Sequence, residues 1–232
     1  MLLPGPLKNL FRGGRGDGAP NGPSPVKSSR SSPRGGDETV ATRPSRGLEE
    51  FFTYIRGQSG LTILDLGGAS QQNVSFITNL GHRLYSEDFL RILRETFGED
   101  GGSEQQSNPG QIEYFLRQAL DYPEGQFDGV LIWDVLEYLS PALLAAVIER
   151  LHKIVRPKSY LLAFFHSDDK LDAVPYYTFR IQEINTLQVV QRGVRRPAQL
   201  FNNRSLEKLF THFDSVKFFL TRERLREVII KV

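Results

Sequence analysis

The sequence of 232 residues contains no cysteine, only four histidines and a single tryptophan. Without cysteine, the chain has no disulfide, no thiol nucleophile and no cysteine ligand for zinc. The four histidines are scattered, so we predict no bound metal. No apolar run is long enough to cross a bilayer, and the first residues, MLLPGPLKNLF, lack the order of a signal peptide. We therefore expect a cytoplasmic protein without a membrane span.

Charge is distributed unevenly along the chain. Residues 1–46 contain eight Lys/Arg and three Asp/Glu, whereas the remainder contains 21 Lys/Arg and 24 Asp/Glu. The first part is also rich in Gly, Pro and Ser, a composition that cannot bury enough apolar surface to offset the entropy of an ordered chain. We predict a disordered basic tail over residues 1–46 and one domain over residues 47–232. The tail could contact RNA or an anionic membrane, or it could be a solvated extension without function.

Residues 61–88 have the pattern of a βαβ unit. A short apolar run ends in Asp65 and turns through Gly67 and Gly68, and an apolar-periodic segment over residues 74–80 then predicts a helix. A second short run, residues 83–86, ends in Glu87 and Asp88. Ligands of doubly wound sheets bind at the carboxyl edge of such a unit.

The glycine turn favours a nucleoside over a dinucleotide. The run from residue 67 to 72 is Gly-Gly-Ala-Ser-Gln-Gln, which lacks the three glycines that cradle a pyrophosphate. Bare backbone at Gly67 and Gly68 still lets a ligand approach closely. An acid after the second strand suits a ribose, because a carboxylate accepts hydrogen bonds from two hydroxyls. Asp88 or Glu87 can take that role, although such an acid can also be an ordinary helix cap.

The rest of the chain alternates buried strands with periodic helices, which predicts an α/β fold. Residues 127–133, FDGVLIW, have the continuous apolar character of a buried parallel strand. Residues 111–120 favour a helix, although their end could instead form a short strand. Residues 177–192 contain two β-rich runs around Asn185 and predict a hairpin or a pair of extended arms. Residues 216–221 and 226–232 predict two final strands, the last antiparallel to its neighbours.

Trp133 and Asp134 emerge together from the end of the buried strand. Trp133 could stack on a flat ring, and Asp134 could accept a hydrogen bond from an amine or a hydroxyl. Alternatively, Trp133 belongs to the core and Asp134 caps the next segment. The sequence leaves both interpretations open.

Several segments resemble class I S-adenosylmethionine-dependent methyltransferases of the small-molecule type. LDLGGAS, from Leu64, resembles the first motif of that family, and the spacing from Asp65 to Asp88 resembles its usual distance to a ribose-binding acid. FDGVLIWDVLEYLSP resembles the fourth-strand motif, and LHKIVRPKSYLLAFF resembles the segment up to the fifth strand. The resemblance covers residues 47–232. It implies a Rossmann-like three-layer sandwich with a mostly parallel seven-stranded sheet and an antiparallel last strand.

The resemblance also implies a function and a set of site residues. It implies methyl transfer from S-adenosylmethionine to an acceptor, with a small molecule as the expected partner. The cofactor-binding residues that it implies are Asp65, Gly67, Gly68, Ala69, Glu87, Asp88, Asp121, Trp133 and Asp134. His166, Tyr177 and Arg180 are candidates for the substrate side, although His166 could be an ordinary loop histidine and the other two could belong to a sheet edge. No residue is assigned as the catalytic base.

The chain departs from the family pattern at two places, and other functions stay open. Of the first-motif glycines only Gly67 is kept, with Ala69 and Gln71 at the other positions, and Pro157-Lys158-Ser159 replaces the usual Pro-Gly-Gly. One alternative is therefore a methyltransferase-like binding protein without catalysis. Another is an RNA-directed enzyme recruited by the tail, although the sequence shows no ordered stretch in which basic and aromatic residues interleave. The sequence does not indicate an oligomeric state.

Overall fold

A computed structural model describes residues 39–98, 104–221 and 225–232. Within these ranges the strands are β1 (Val40–Pro44), β2 (Thr62–Asp65), β3 (Arg83–Ser86), β4 (Phe127–Trp133), β5 (Val155–His166), β6 (Val174–Glu183), β7 (Thr186–Arg195), β8 (Ser215–Leu220) and β9 (Leu225–Lys231). The α-helices are α1 (Arg46–Ile55), α2 (Gln71–Asn79), α3 (Phe89–Phe97), α4 (Pro109–Ala119), α5 (Pro141–Ile154) and α6 (Asn203–Leu209). None of these helices is long and apolar enough to cross a membrane.

The central sheet has the order β3-β2-β4-β5-β9-β8. Strands β3, β2, β4 and β5 are parallel, and β9 is antiparallel to both β5 and β8. This arrangement confirms the α/β fold class and the antiparallel last strand. The described part of the sheet has six strands rather than the seven expected. Between α3 and β4 the described residues form a short 3-10 turn and helix α4, so no strand is added beyond β3 there.

A second, three-stranded sheet has the order β1-β7-β6. Strands β6 and β7 form the hairpin predicted around Asn185, and β1 pairs with β7 in an antiparallel register. Strand β1 lies inside the region predicted to be a tail, so ordered structure begins before residue 47 and that boundary was placed too late. Val40 and Thr42 favour a strand, but the Gly, Pro and Ser around them hid this signal. The tail prediction for residues 1–38 lies outside the described residues.

Helices cover both faces of the central sheet, as alternate strand residues show. On β4, Val130 and Ile132 point into a core shared with α3, α4, α5 and α6. Leu131 and Trp133 point to the opposite face, where they pack with α1, α2 and the β6–β7 hairpin. Both faces of β4 are therefore dry, which explains its continuous apolar run.

Helix α1 is fixed to the sheet by one buried carboxylate. Glu227 on β9 is fully buried, and its Oε2 accepts hydrogen bonds from the backbone N–H of Gly47 at 2.6 Å and from Ser45 Oγ at 3.0 Å. Ser45 Oγ in turn caps α1 by accepting from Leu48 N–H. A side chain at Gly47 would meet Leu162 and Glu227 at 2.9 to 3.0 Å, so glycine lets the helix approach the sheet closely.

Residues 111–120 belong to α4, which Asn108 caps and Pro109 begins, so the alternative of a short strand is wrong.

Lys158 stands at a position where the family pattern has glycine. Its φ of 68° lies in the left-handed region that glycine favours. Its N–H donates to Val232 O at 2.6 Å, which fixes this turn despite the side chain.

We predict that Gly129→Ala destabilises the fold. A methyl group at Gly129 on β4 would lie 2.7 Å from the Phe51 ring and 3.1 Å from Ile63, both buried. Overpacking of this kind costs roughly 1–3 kcal/mol of unfolding free energy, which urea denaturation measures directly. Gly110→Ala is the matched control, because its methyl group would meet only Asn108 at an ordinary 3.4 Å. Equal stability of the two variants would contradict the packing described for Gly129.

Candidate functional site

The candidate site lies at the carboxyl edge of the central sheet, between β2 and β4. In the sheet, β3 pairs with one edge of β2, and β4 pairs with the other edge of β2. The connections therefore diverge at this point and leave a crevice outside the strand ends, where open α/β sheets bind their ligands.

Asp65 at the end of β2 is fully buried and accepts three hydrogen bonds from its own chain. Its Oδ1 accepts from Gly67 N–H at 2.8 Å and from the Trp133 indole N–H at 2.6 Å. Its Oδ2 accepts from the side-chain amide of Asn73 on α2 at 3.0 Å. Burial raises the pKa of Asp65, and the hydrogen bonds from Trp133, Asn73 and Gly67 act in the opposite direction. Asp65 thus holds the glycine turn in place.

The glycine turn brings Asp88 next to Gly67. Gly68 N–H donates to Glu87 O at 3.0 Å, and Gly67 and Asp88 form an isolated antiparallel bridge. Gly68 has φ 84°, and a side chain there would contact the Asp88 carboxylate. Asp88 caps α3 by accepting from Arg91 N–H at 3.0 Å, and its side chain is 48% exposed. Asp88 is therefore both a helix cap and an accessible acid beside the glycine turn.

Glu87 and Asp121 occupy different surroundings from Asp88. The Tyr122 hydroxyl donates to the Glu87 carboxylate, and burial and this hydrogen bond raise the pKa of Tyr122. Asp121 precedes Tyr122 in an exposed position. Neither acid lines the cavity described below.

Trp133 lies over the glycine turn with a strained backbone. Its φ of 60° is unusual for a bulky residue, and its side chain is almost completely buried. A side chain at Gly67 would lie only 2.7 Å from the indole, and the ring of Phe179 on β6 stacks on the indole at 5.1 Å. Trp133 is thus part of the core and also lines the cavity described below, whereas the Asp134 side chain does not cap the segment that follows it.

A cavity of about 40 Å³ remains at this edge. Residues from the two strand ends, the glycine turn, α3 and the hairpin line it: Leu66, Gly67, Asp88, Leu90, Trp133, Asp134, Val135, Tyr177, Thr178 and Phe179. Ligand pockets for drug-sized molecules measure roughly 300–1,000 Å³. The cavity is therefore large enough for water molecules but too small for a nucleoside.

Beyond Trp133, buried ionisable groups lie between β4, β5 and the hairpin. Asp134 Oδ2 accepts from Tyr177 N–H at 3.4 Å. Glu137, fully buried, accepts the His166 backbone N–H at 2.9 Å and holds His166 Nδ1 at 2.6 Å. His166 Nε2 is buried and has no hydrogen-bond partner among the described residues. His166 is therefore a buried, oriented histidine, and its interpretation as an ordinary loop residue is wrong.

The charges of this cluster shift the pKa values of its members. Burial and then the charge of Glu137 raise the pKa of Asp134 to about 7. Burial lowers the pKa of His166, but the hydrogen bond and charge of Glu137 outweigh it, and the net shift is upward. Asp134 can thus exchange a proton near neutral pH, and His166 holds its proton more strongly than a free imidazole does.

The structure separates the predicted residues into two sets. Five of them line one cavity: Gly67, Asp88, Trp133, Asp134 and Tyr177. The others do not line it: Asp65, Gly68, Ala69, Glu87, Asp121, His166 and Arg180. The Arg180 guanidinium instead faces Gln188 across the hairpin at 3.4 Å.

The sequence analysis missed Asn73, Glu137 and Phe179. The only indication of Glu137 in the sequence was its place in the fourth-strand motif, three residues after Asp134. No group of three or more His, Asp or Glu side chains in the described ranges could hold a metal ion.

We predict that Asp134→Asn stabilises the protein at pH 8 but not near pH 4.5. The raised pKa means that the folded state favours protonated Asp134, so stability falls as the pH rises from about 4 to about 7. Asparagine keeps an oxygen for Tyr177 N–H and does not titrate. The shift of about three pH units corresponds to a gain on the order of 2–4 kcal/mol at pH 8. Urea unfolding at both pH values measures it, with exposed Asp172→Asn as the control; the same difference at both values would contradict the prediction.

Solved structures with a related fold include several methyltransferases. They include the 1,6-didemethyltoxoflavin-N1-methyltransferase of Burkholderia thailandensis, with 16% identity over 80% of this chain and 76% of that chain at a TM-score of 0.44. A SAM dependent methyltransferase of Archaeoglobus fulgidus has 16% identity, 80% and 91% coverage and a TM-score of 0.47. The glycopeptide N-methyltransferase MtfA has 16% identity, 84% and 90% coverage and a TM-score of 0.45. A search of the curated proteins finds no match.

The family comparison matches most of the chain. A family model described as a methyltransferase domain matches residues 37–215, which include the glycine turn, β4, β5 and the hairpin. The matched region contains every residue that lines the candidate site. The chain therefore belongs to the methyltransferase domain family and has the class I fold of the S-adenosylmethionine-dependent enzymes.

Proposed function

We propose that this chain transfers the methyl group of S-adenosylmethionine, the cofactor of its family, to a small-molecule acceptor at the carboxyl edge between β2 and β4. The observation that carries this proposal is the convergence of bare glycine backbone, an accessible acid and a buried acid on one cavity. Gly67, Asp88 and Asp134 come from three separate segments, and the fold brings them together at the switch point of the sheet.

The residues present fit the chemistry of this cofactor. The Gly67 backbone, which carries no side chain, lines the cavity, and Asp88 offers a carboxylate to the ribose hydroxyls. In this proposal Trp133 and Asp134 line the methyl-donor end, and Asp65 keeps the turn in place without touching the ligand. Ala69 and Gln71 replace glycines of the family motif, but neither side chain lines the cavity.

Methyl transfer requires mainly that donor and acceptor be held in line. The bound cofactor would supply an electrophilic methyl group on a sulfonium. The chain would exclude water with the β6–β7 hairpin and orient the acceptor through Tyr177 and Asp134. His166, oriented by Glu137, can hold a proton released at this edge, because the hydrogen bond and charge of Glu137 favour its protonated form.

The enclosure of the site supports a small acceptor. Tyr177, Thr178 and Phe179 of the hairpin line the cavity and cover this edge of the sheet. The residues after position 46 carry more acidic than basic side chains, which does not suit a nucleic acid backbone. A compact acceptor beneath the hairpin is therefore the better fit.

We predict that Asp88→Asn weakens binding of S-adenosylhomocysteine about tenfold or more. Asparagine has one acceptor oxygen, which can still cap Arg91 N–H, and its NH2 group cannot accept from ribose hydroxyls. Charge-assisted hydrogen bonds are worth roughly 1.5–3 kcal/mol each, which sets this magnitude. Isothermal titration calorimetry measures the dissociation constant, and unchanged thermal unfolding verifies that α3 keeps its cap.

Glu87→Gln is the matched control for Asp88→Asn. Because Tyr122 holds the Glu87 carboxylate, this change should alter the affinity less than about threefold. A large loss in Glu87→Gln with normal binding by Asp88→Asn would assign the ribose to Glu87. Wild-type affinity in both variants would contradict the assignment of the ribose to this edge of the sheet.

A further inference from the structure

The Trp133 indole packs directly against the backbone of Gly67 in the glycine turn. Its Cδ1 and Nε1 lie 2.7 and 2.8 Å from the position that a side chain at Gly67 would take. Its N–H donates to Asp65 Oδ1 at 2.6 Å, and its backbone is strained at φ 60°. The surface that glycine leaves open for a ligand is therefore covered by the chain itself.

The β6–β7 hairpin holds the indole in this position. The Phe179 ring is parallel to the indole within 5° at 5.1 Å. Asn73 accepts from Ile181 N–H at 2.8 Å and donates to Phe179 O at 3.2 Å, and the same amide donates to Asp65. The indole and the hairpin are thus fixed, directly or through Asn73, to one carboxylate. Movement of either the indole or the hairpin therefore breaks hydrogen bonds of the same network.

The hairpin also lies beside a second space. A cavity of about 200 Å³ is lined by Tyr177 and Val189 of the hairpin, by Leu225 of β9 and by β1. Tyr177 lines this cavity as well as the 40 Å³ cavity over Gly67. This second cavity has room for hairpin side chains that move away from Gly67.

We propose that Trp133 and Phe179 form an internal plug of the cofactor site, and that the cofactor binds only when the indole leaves Gly67 and the hairpin shifts with it. This inference rests on the proposed function. It explains how a site with suitable groups encloses only about 40 Å³. A plug lowers the apparent affinity, because only the fraction of molecules with an open site can bind. Weakening the plug should therefore tighten binding.

Two substitutions loosen the plug in different ways. Phe179→Ala removes the stacked ring, and Trp133→Phe keeps an aromatic ring but loses the hydrogen bond to Asp65. Calorimetric titration with S-adenosylhomocysteine should show tighter binding in both, about tenfold for Phe179→Ala. Phe52→Ala is the control, because Phe52 is buried in the same core but does not line the cavity. Its affinity should equal that of the wild type.

The single tryptophan gives an independent readout, because all tryptophan emission comes from Trp133. Addition of S-adenosylhomocysteine to the wild type should shift the emission maximum and change quenching by acrylamide. Binding in the wild type with unchanged emission, and equal affinity in Phe179→Ala, would overturn the plug and leave the proposed function intact. Binding by the loosened variants alone would support a tightly closed plug. Absence of binding in the wild type and in both variants would overturn the plug and the proposed function together.

Discussion

The carboxylate of Asp65 accepts hydrogen bonds from the backbone of Gly67, the indole of Trp133 and the amide of Asn73. These donors belong to the glycine turn, the end of β4 and helix α2, and Asn73 adds the hairpin strand β6. A buried carboxylate is costly unless its oxygens are hydrogen-bonded. The need to satisfy this one group therefore fixes the relative positions of four segments, and these segments form the walls of the candidate site.

The same constraint links the structure of the site to its accessibility. Because Asp65 is satisfied by protein donors, the glycine turn is preorganised for a ligand. One of those donors is an indole that covers the turn, and a second aromatic ring covers the indole. The groups that shape the site and the groups that close it thus depend on the same carboxylate. A cofactor would have to compete with Trp133 for the space over Gly67, while Asp65 retains Asn73 and Gly67 as donors.

The sequence predicted the parts of the molecule that depend on local pattern. The βαβ unit through Asp65 and Gly67, the buried strand before Trp133 and the β6–β7 hairpin follow from periodicity and turn residues. The contact between Trp133 and Asp65 joins residues that are far apart in the chain, and no local pattern specifies it. Strand β1 was missed because the Gly, Pro and Ser around it hid its short strand signal. That the described residues add no strand beyond β3 is a matter of sheet order, which a single sequence constrains weakly.

A crystal structure with S-adenosylhomocysteine tests the account most directly. The account predicts the ribose hydroxyls within about 3.2 Å of the Asp88 carboxylate, the usual limit for hydrogen bonds. It also predicts the Trp133 indole displaced from Gly67, with the hairpin shifted. A ligand bound away from the edge between β2 and β4, or one bound there with the indole still covering Gly67, would contradict it.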